Sequence, residues 1–264
     1  MLLVDSHCHL DAGEFDADRD AVVERARAAG VQLQVVPATH AEAWPGLRDA
    51  CQSAPGLFPA YGMHPVFLDR HRGGDLERLR EWLARERPVA VGECGLDHFL
   101  DGLDRDAQQH WFEGQLRLAR DFDLPVIVHA RRAVDAVIAA LRRIGGAGSG
   151  QDNALRGVVH SFSGSEEQAR QLWKLGFLIG LGGPVTYDRA RRLRRLAAAM
   201  PLEYLLLETD APDQPDSDHR GGRNEPARLV TVLETIARLR EADPVQVAAA
   251  TTDNARRLFA LPAP

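Results

Sequence analysis

Short aliphatic or β-branched runs alternate with longer amphipathic segments along this chain. Eight such runs are candidate strands, at residues 2–5, 32–37, 57–62, 89–92, 125–129, 157–160, 177–180 and 204–207. Repeated strand and helix units are expected around a parallel sheet. Eight alternations in 264 residues favour an α/β fold, a (β/α)8 TIM barrel formed by a single domain over residues 1–264. An open doubly wound sheet remains the alternative.

The segments between the candidate strands have helical periodicity. They lie at residues 18–29, 75–86, 105–122, 134–143, 165–175, 189–199 and 227–240, and a final amphipathic segment spans residues 244–258. Ser165 and Gln168 have the spacing of a capping box, and Gly176 follows that helix where a left-handed residue would end it. The glycine-rich residues 145–150 are interpreted as a spacer without chemistry.

Composition narrows the class of protein. Hydrophobic residues make up 45% and charged residues 27% of the chain, as in globular proteins. No apolar run approaches the roughly 18 residues of a membrane span, and the first residues lack the pattern of a signal peptide, so we expect a cytoplasmic protein. Cys8, Cys51 and Cys94 fit no metal-binding spacing and are expected to be buried, reduced thiols. The net charge of -6 argues against nonspecific coating of nucleic acid.

Unusual polar residues occur where the candidate strands end. They are His7, His9, His64, Glu93, His129, His160 and Asp210. In a barrel the carboxyl ends of the strands meet at one face, which is the face that holds active sites. If the first strand continues to His9, alternation places His7 and His9 on one side, where two imidazoles can bind one metal ion, and Cys8 on the other.

The polar residues belong to motifs that occur in a fixed order. The motifs are DSHCHLD at residues 5–11, GMHP at 62–65, GECGLD at 92–97, HAR at 129–131, HSFSG at 160–164, ETDAP at 208–212 and RNEP at 223–226. In these motifs and their order, the chain resembles the TatD-type metal-dependent hydrolases and deoxyribonucleases, which have amidohydrolase-like barrels. The resemblance covers essentially the whole chain.

The resemblance implies a site for one or two divalent metal ions. His7, His9 and Asp210 would bind one ion, His129 and His160 the other, and Glu93 would bridge the two. The residue types agree, because four imidazoles and two carboxylates exceed what one tetrahedral ion uses. Zinc, iron, cobalt, nickel, magnesium and manganese are not distinguished by these ligands.

Hydrolysis is the chemistry that this set of residues favours. Lys174 is the only lysine and lies inside a predicted helix, so neither a carboxylated lysine bridge nor a Schiff-base lysine is expected at the strand ends. Bound ions would activate a water molecule and polarise the scissile bond. Glu93, Asp210 and His64 are the candidate catalytic residues, with Asp210 as a ligand first and a general base second.

Further residues are candidates for contacts with the substrate or with the ligands. His64, Arg131 and Arg223 could bind a substrate phosphate, with ordinary loop or surface roles as the alternative. Asp97, Ser163 and Glu208 could orient ligand imidazoles, or could cap helices and loops instead. His98 stands where the family often has an aromatic residue, and Asn224 is expected to cap the last barrel helix.

Two enzymatic functions and one non-enzymatic function remain open at this stage. The family resemblance favours a phosphodiesterase that acts as a 3'-5' exodeoxyribonuclease on DNA ends. A metal-dependent hydrolase of a small ester, amide or lactone is the alternative, because fold and ligands do not separate these substrates. A binding role with purely structural metals is the third hypothesis. We expect DNA ends as the partner, no membrane, no obligate protein partner and a monomer.

Overall fold

A computed structural model describes residues 1–145 and 154–262 of the chain. Most of the predicted glycine-rich spacer lies outside the described residues. Among the described residues, no helix combines the length and the apolar character needed to cross a lipid bilayer.

Eight parallel strands follow one another in chain order in a single sheet. They are β1 (Leu3–Asp5), β2 (Val31–Pro37), β3 (Leu57–Tyr61), β4 (Ala90–Asp97), β5 (Val126–Arg131), β6 (Gly157–Val159), β7 (Phe177–Leu181) and β8 (Leu205–Leu207). Beyond the ends of β1 and β8, Ser6 N–H donates to the Leu207 carbonyl at 3.0 Å, and Asp210 N–H donates to the His7 carbonyl at 2.9 Å. The predicted (β/α)8 TIM barrel is confirmed.

Helices alternate with these strands. They are α1 (Arg19–Ala28), α2 (Trp44–Gln52), α3 (Asp75–Glu86), α4 (Arg105–Asp121), α5 (Val134–Gly145), α6 (Glu166–Lys174), α7 (Arg191–Ala199), α8 (Leu229–Leu239) and α9 (Pro244–Phe259). Ser165 and Gln168 form the predicted capping box of α6. Gly176 adopts the left-handed conformation predicted for it, with φ 83°.

The first strand ends at the predicted residue, without the continuation to His9 that was considered, and the predicted end of the fourth strand was wrong. β1 stops at Asp5, so His7 and His9 lie in the following loop. There the His7 N–H donates to the Asp5 carboxylate at 3.2 Å rather than to a neighbouring strand. β4 continues to Asp97, so Glu93 lies inside it, because the peptide groups of residues 94–97 keep pairing with β5.

Two compact units can be distinguished within the chain. One contains residues 1–36, 49–58 and 179–264, and the other contains residues 37–48 and 59–178. Leu206, Ile236 and Phe259 are buried in the first, and Val91, Phe112 and Ile127 are buried in the second. The single domain over residues 1–264 stays a prediction.

The three cysteines are free and buried, as predicted. The Cys8 thiol lies 3.8 Å from the Gln34 side-chain carbonyl, and the Cys94 thiol lies 3.7 Å from the Ile127 carbonyl. Burial raises the pKa of all three thiols, so they remain protonated. These cysteines therefore serve as small core residues.

Candidate metal centre

His7, His9 and Asp210 form the first cluster, which lies in the loops after β1 and β8. The His7 and His9 Nε2 atoms are 3.2 Å apart, and the Asp210 Oδ1 atom lies 3.4 Å and 3.7 Å from them. Backbone hydrogen bonds join the two loops, since His9 N–H donates to the Ala211 carbonyl at 2.7 Å. Asp210 has a left-handed backbone with φ 58°, a conformation that costs about 1 kcal/mol or more for a residue other than glycine.

Asp5 hydrogen-bonds to the backbone of the first cluster, next to His7 and Asp210. It was not among the predicted site residues. Its buried carboxylate accepts the Thr209 N–H at 3.0 Å and the Thr209 hydroxyl at 2.6 Å, in addition to the His7 N–H. Burial raises the pKa of Asp5 to about 7, although these hydrogen bonds act in the opposite direction. The signal in the sequence was a carboxylate that ends an apolar strand.

Glu93, His64, His129 and His160 form the second cluster. The Glu93 Oε1 atom lies 3.0 Å from His64 Nε2, 3.0 Å from His129 Nδ1 and 2.7 Å from His160 Nε2. β4 positions Glu93 and β5 positions His129, while His160 follows β6 and donates its N–H to the Val128 carbonyl at 3.1 Å. Three imidazoles, one from β5 and two from the loops after β3 and β6, thus surround one buried carboxylate oxygen.

Asp97 contacts the opposite side of the His129 ring. The Asp97 Oδ2 atom lies 3.0 Å from His129 Nε2, and Asp97 Oδ1 accepts the Phe99 and Leu100 N–H groups at 2.8 Å and 3.1 Å. Burial alone would raise the pKa of Asp97, but these hydrogen bonds outweigh it and lower the pKa to about 2. Burial lowers the pKa of His129, but its hydrogen bonds to Asp97 and Glu93 outweigh this and raise the pKa. The geometry is that of a carboxylate that orients a ligand imidazole.

His64 is placed beside Glu93 by the loop after β3. Its N–H donates to the Thr39 carbonyl at 2.8 Å, and its Nδ1 accepts the Val66 N–H at 3.2 Å. Burial lowers the pKa of His64 to about 4, and the neighbouring His129 and His160 add to this, while Glu93 opposes it. The predicted catalytic and substrate-binding roles of His64 remain predictions.

The donor atoms of both clusters fit divalent cations. In the first cluster two imidazole nitrogens and a carboxylate oxygen approach one another within 3.7 Å, which is the arrangement in which one ion can bind all three. In the second cluster His64, Glu93 and His129 likewise bring their ligand atoms close together. Mixed imidazole and carboxylate sets suit zinc, manganese, magnesium, iron, cobalt and nickel.

The two arginines predicted to bind substrate, Arg223 and Arg131, have different contacts. Arg223 binds Asp18 through two hydrogen bonds of 2.7 Å and 2.8 Å and lies over the Phe15 ring. Arg131 is exposed and lies over the ring of Phe99. The substrate-binding roles of both arginines stay predictions.

The predicted orienting residues Ser163 and Glu208 differ in burial. Ser163 is exposed, whereas Glu208 is buried next to Gly180, where an added Cβ would lie 2.1 Å from Glu208 Oε2. Their roles stay predictions. Asn224 does not cap α8 as expected, because its amide donates to the Thr209 and Asp213 carbonyls and so joins the loops after β8.

His98 is half-buried, and burial is the main cause that lowers its pKa. Its backbone N–H donates to the Arg131 carbonyl at 2.9 Å.

Comparison with known proteins identifies the family. The model of the TatD-related DNases matches residues 4–260. YjjV of Escherichia coli K12, an uncharacterized metal-dependent hydrolase, is 40% identical over 261 residues that cover 98% of each chain. The 3'-5' ssDNA/RNA exonuclease TatD of Citrobacter rodentium is 34% identical over 264 residues that also cover 98% of each chain. The crystal structure of YjjV superimposes with a TM-score of 0.92 over 98% of both chains, at 40% identity.

The sequence motifs, the barrel, the two ligand clusters and these relatives agree on one class of enzyme. A metal-dependent hydrolase needs imidazole and carboxylate ligands at the carboxyl ends of the barrel strands, and the chain carries them on the connections after β1, β3, β6 and β8 and within β4 and β5. The chain belongs to the TatD-related DNase family of metal-dependent hydrolases.

Proposed function

We propose that this hydrolase is a phosphodiesterase that removes nucleotides from the 3' end of single-stranded DNA. The observation that carries the proposal is the pair of ligand clusters, which offers several imidazoles and two carboxylates to divalent cations. The 3'-5' exonuclease of Citrobacter rodentium supports the choice of substrate, since it is similar over 98% of the chain.

In this proposal one or two divalent ions are the cofactor. His7, His9 and Asp210 would hold an ion in the first cluster, and His129 and His160 would hold one in the second, together with Glu93. When bound, such ions lower the pKa of a water molecule and polarise a phosphoryl oxygen. The identity of the metal is left to measurement.

The residues of the chain then hold the reactants and move the proton. The Asp210 carboxylate accepts the proton of the attacking water, in addition to its role as a ligand. The one N–H of the neutral His64 ring, on Nε2, lies 3.0 Å from Glu93 Oε1 and would turn to a phosphate oxygen once substrate is bound. Asp97 fixes the His129 ring by its contact with Nε2. The water oxygen bonds to phosphorus as the bond from phosphorus to the 3' oxygen breaks. One nucleotide leaves with the phosphate on its 5' side, and the 3' oxygen of the shortened strand takes up a proton.

A basic segment supports a polyanionic substrate despite the net charge of -6. Five arginines lie between residues 189 and 195, and one of them, Arg194, is paired with Asp188 at 3.2 Å. Arg189 precedes α7, and the other four lie in its first turns. The nearby Tyr187 hydroxyl donates to the Pro215 and Asp216 carbonyls in the loop after β8. A local cluster of positive charge attracts nucleic acid through its phosphates. We further propose that the protein is a monomer and lies in the cytoplasm. Its three free cysteines agree with a reducing compartment.

The test compares metal-dependent hydrolysis of three substrates. Protein stripped of metal and then supplied with one divalent cation at a time is given a 5'-labelled single-stranded oligonucleotide, a small phosphodiester and a carboxylic ester. We expect a ladder that shortens from the 3' end, and its loss in Glu93→Gln. Glu167→Gln, an exposed change of the same kind on α6, is the control and retains activity. Cleavage of the ester with an intact oligonucleotide would refute the nuclease proposal and favour the small-molecule hydrolase.

A further inference from the structure

We propose that Phe99, Arg131 and Arg132 form a binding platform for the nucleotide on the 5' side of the scissile phosphate. This inference rests on the proposed exonuclease function and extends it to residues outside the metal centre. The Arg131 guanidinium carbon lies 3.7 Å from the centroid of the Phe99 ring, and that of Arg132 lies 4.6 Å from it. We call these three residues the Phe99 platform.

The charges of the platform are not neutralised by the protein. Neither Arg131 nor Arg132 forms an ion pair with any residue in the described ranges 1–145 and 154–262, and both are exposed. By contrast, Arg25 and Arg223 are each bound to carboxylates at 2.7 Å. Contact with an aromatic ring holds a guanidinium in place while leaving its N–H groups available. Two such groups together suit a phosphate.

Phe99, the aromatic residue of the platform, is exposed to solvent, although burying an aromatic ring would stabilise the fold. The Phe99 side chain has 39% of its surface accessible to solvent, and the neighbouring Leu100 has 38%. Flat aromatic and guanidinium surfaces stack on nucleobases, and this interaction does not depend on the identity of the base. An exposed ring flanked by unpaired cations therefore matches both parts of a nucleotide, the base and the phosphate.

Position relative to the metal centre links the platform to the strand that is being cleaved. His129 and Arg131 are two residues apart in β5, so their side chains leave the strand on the same side. Asp97 contacts His129 with one oxygen and holds the Phe99 N–H with the other. An enzyme that cleaves at a 3' terminus must hold the strand that continues in the 5' direction, and the exposed platform beside a ligand residue is placed for that strand.

The backbone around the platform is held in one conformation. The His98 N–H donates to the Arg131 carbonyl at 2.9 Å, which joins the loop after β4 to the end of β5. Arg132 has a left-handed backbone with φ 53°, a conformation that glycine adopts without cost and arginine does not.

The experiment compares a substrate that reaches the platform with one that does not. The full chain is assayed with its best metal on an eight-residue oligothymidylate and on thymidine 5'-phosphate p-nitrophenyl ester, which has no nucleotide on the 5' side. We expect Phe99→Ala and Arg132→Gln to raise KM for the oligonucleotide about 10-fold, the loss expected for one stacked base, with kcat within twofold. Hydrolysis of the p-nitrophenyl ester should not change, and Phe99→Trp should restore the KM.

Matched variants control for exposure and charge. Val245→Ala removes another exposed apolar side chain, and Arg170→Gln removes another exposed arginine, and neither should change KM. The platform would be refuted if Phe99→Ala and Arg132→Gln left KM for the oligonucleotide unchanged. It would also be refuted if they raised KM equally for the oligonucleotide and for the p-nitrophenyl ester.

A binding measurement separates this inference from the proposed function. Fluorescence anisotropy with labelled oligothymidylate is measured at low salt for the wild type and for Phe99→Ala. If the wild type cleaves no oligonucleotide, the proposed function fails, whereas a 10-fold weaker binding of Phe99→Ala still supports the platform. Equal binding by both proteins, or no binding by the wild type, overturns the platform whatever the activity.

Discussion

Replacing Asp97 by asparagine should weaken metal binding while leaving the barrel intact. The Asp97 Oδ2 atom lies 3.0 Å from the ring nitrogen of His129 that faces away from Glu93. Asparagine has the same shape and keeps an oxygen for the Phe99 and Leu100 N–H groups. It presents an uncharged NH2 group to His129, which is a donor facing a donor. The substitution therefore removes the contact with the imidazole and little else.

The expected loss of metal affinity in Asp97→Asn follows from the hydrogen bond between Asp97 and His129 that the substitution removes. A hydrogen bond to a charged group contributes about 1.5–3 kcal/mol, and the pKa of Asp97 near 2 means that its carboxylate is charged at neutral pH. Loss of a carboxylate that orients a metal-binding imidazole typically lowers metal affinity about 10- to 100-fold. That range corresponds to about 1.4–2.8 kcal/mol, so the two values agree.

The assay is a chelator competition that gives the dissociation constant of the metal for wild type, Asp97→Asn and Asp97→Ala. Asp97→Ala also frees the Phe99 and Leu100 N–H groups, so it should additionally lower the melting temperature of the metal-free protein. Asp123→Asn, at an exposed site bonded to Arg156, controls for the change of charge. A metal affinity of Asp97→Asn within threefold of wild type would refute the orienting role of Asp97.

Three further changes test the fold and the site. Phe112→Ala empties a fully buried position on α4 and should lower the free energy of unfolding by about 3–5 kcal/mol, measured by urea denaturation; a loss below about 1 kcal/mol would contradict the packing described here. Gly180→Ala would place a Cβ 2.1 Å from the buried Glu208 carboxylate and should cost about 1–3 kcal/mol in a thermal melt, whereas Gly73→Ala, with open space around it, should not destabilise the protein. Removal of metal by a chelator should abolish hydrolysis and lower the melting temperature, and readdition should restore both, since a ligand present at 1,000 times its dissociation constant stabilises the folded state by about 4 kcal/mol.

The strand and helix order was predictable because a buried parallel strand and an amphipathic helix have different periodicities. α3 begins and ends at the predicted residues, 75 and 86. α2 was not among the predicted helices, because it begins with Trp44, Pro45 and Gly46, and the last two more often mark turns. Proline is compatible with the first turn of a helix, and Trp44 is anchored in the core by its bond to the Gly62 carbonyl at 3.0 Å.

The ligand residues were predictable by type and order, but their local geometry was not. The alternation argument placed His7 and His9 on a strand, whereas loop hydrogen bonds to residues after β8 bring their Nε2 atoms together. The contact between Arg223 and Asp18 joins residues that are 205 positions apart, so no local pattern could have indicated it. Of the proposed Phe99 platform only Arg131 was predicted as a substrate contact, because no local pattern brings Phe99 next to residues 131 and 132.

Asp97 divides its two oxygens between a metal-binding histidine and the loop that carries Phe99. A substitution or insertion that reshapes this loop for another substrate would also displace the Asp97 carboxylate that orients His129. Substrate preference and metal affinity are therefore coupled through one side chain. Engineering the loop for new substrates will succeed only where residues 97–100 keep their spacing, and adaptation is freer in loops that share no anchor with a ligand.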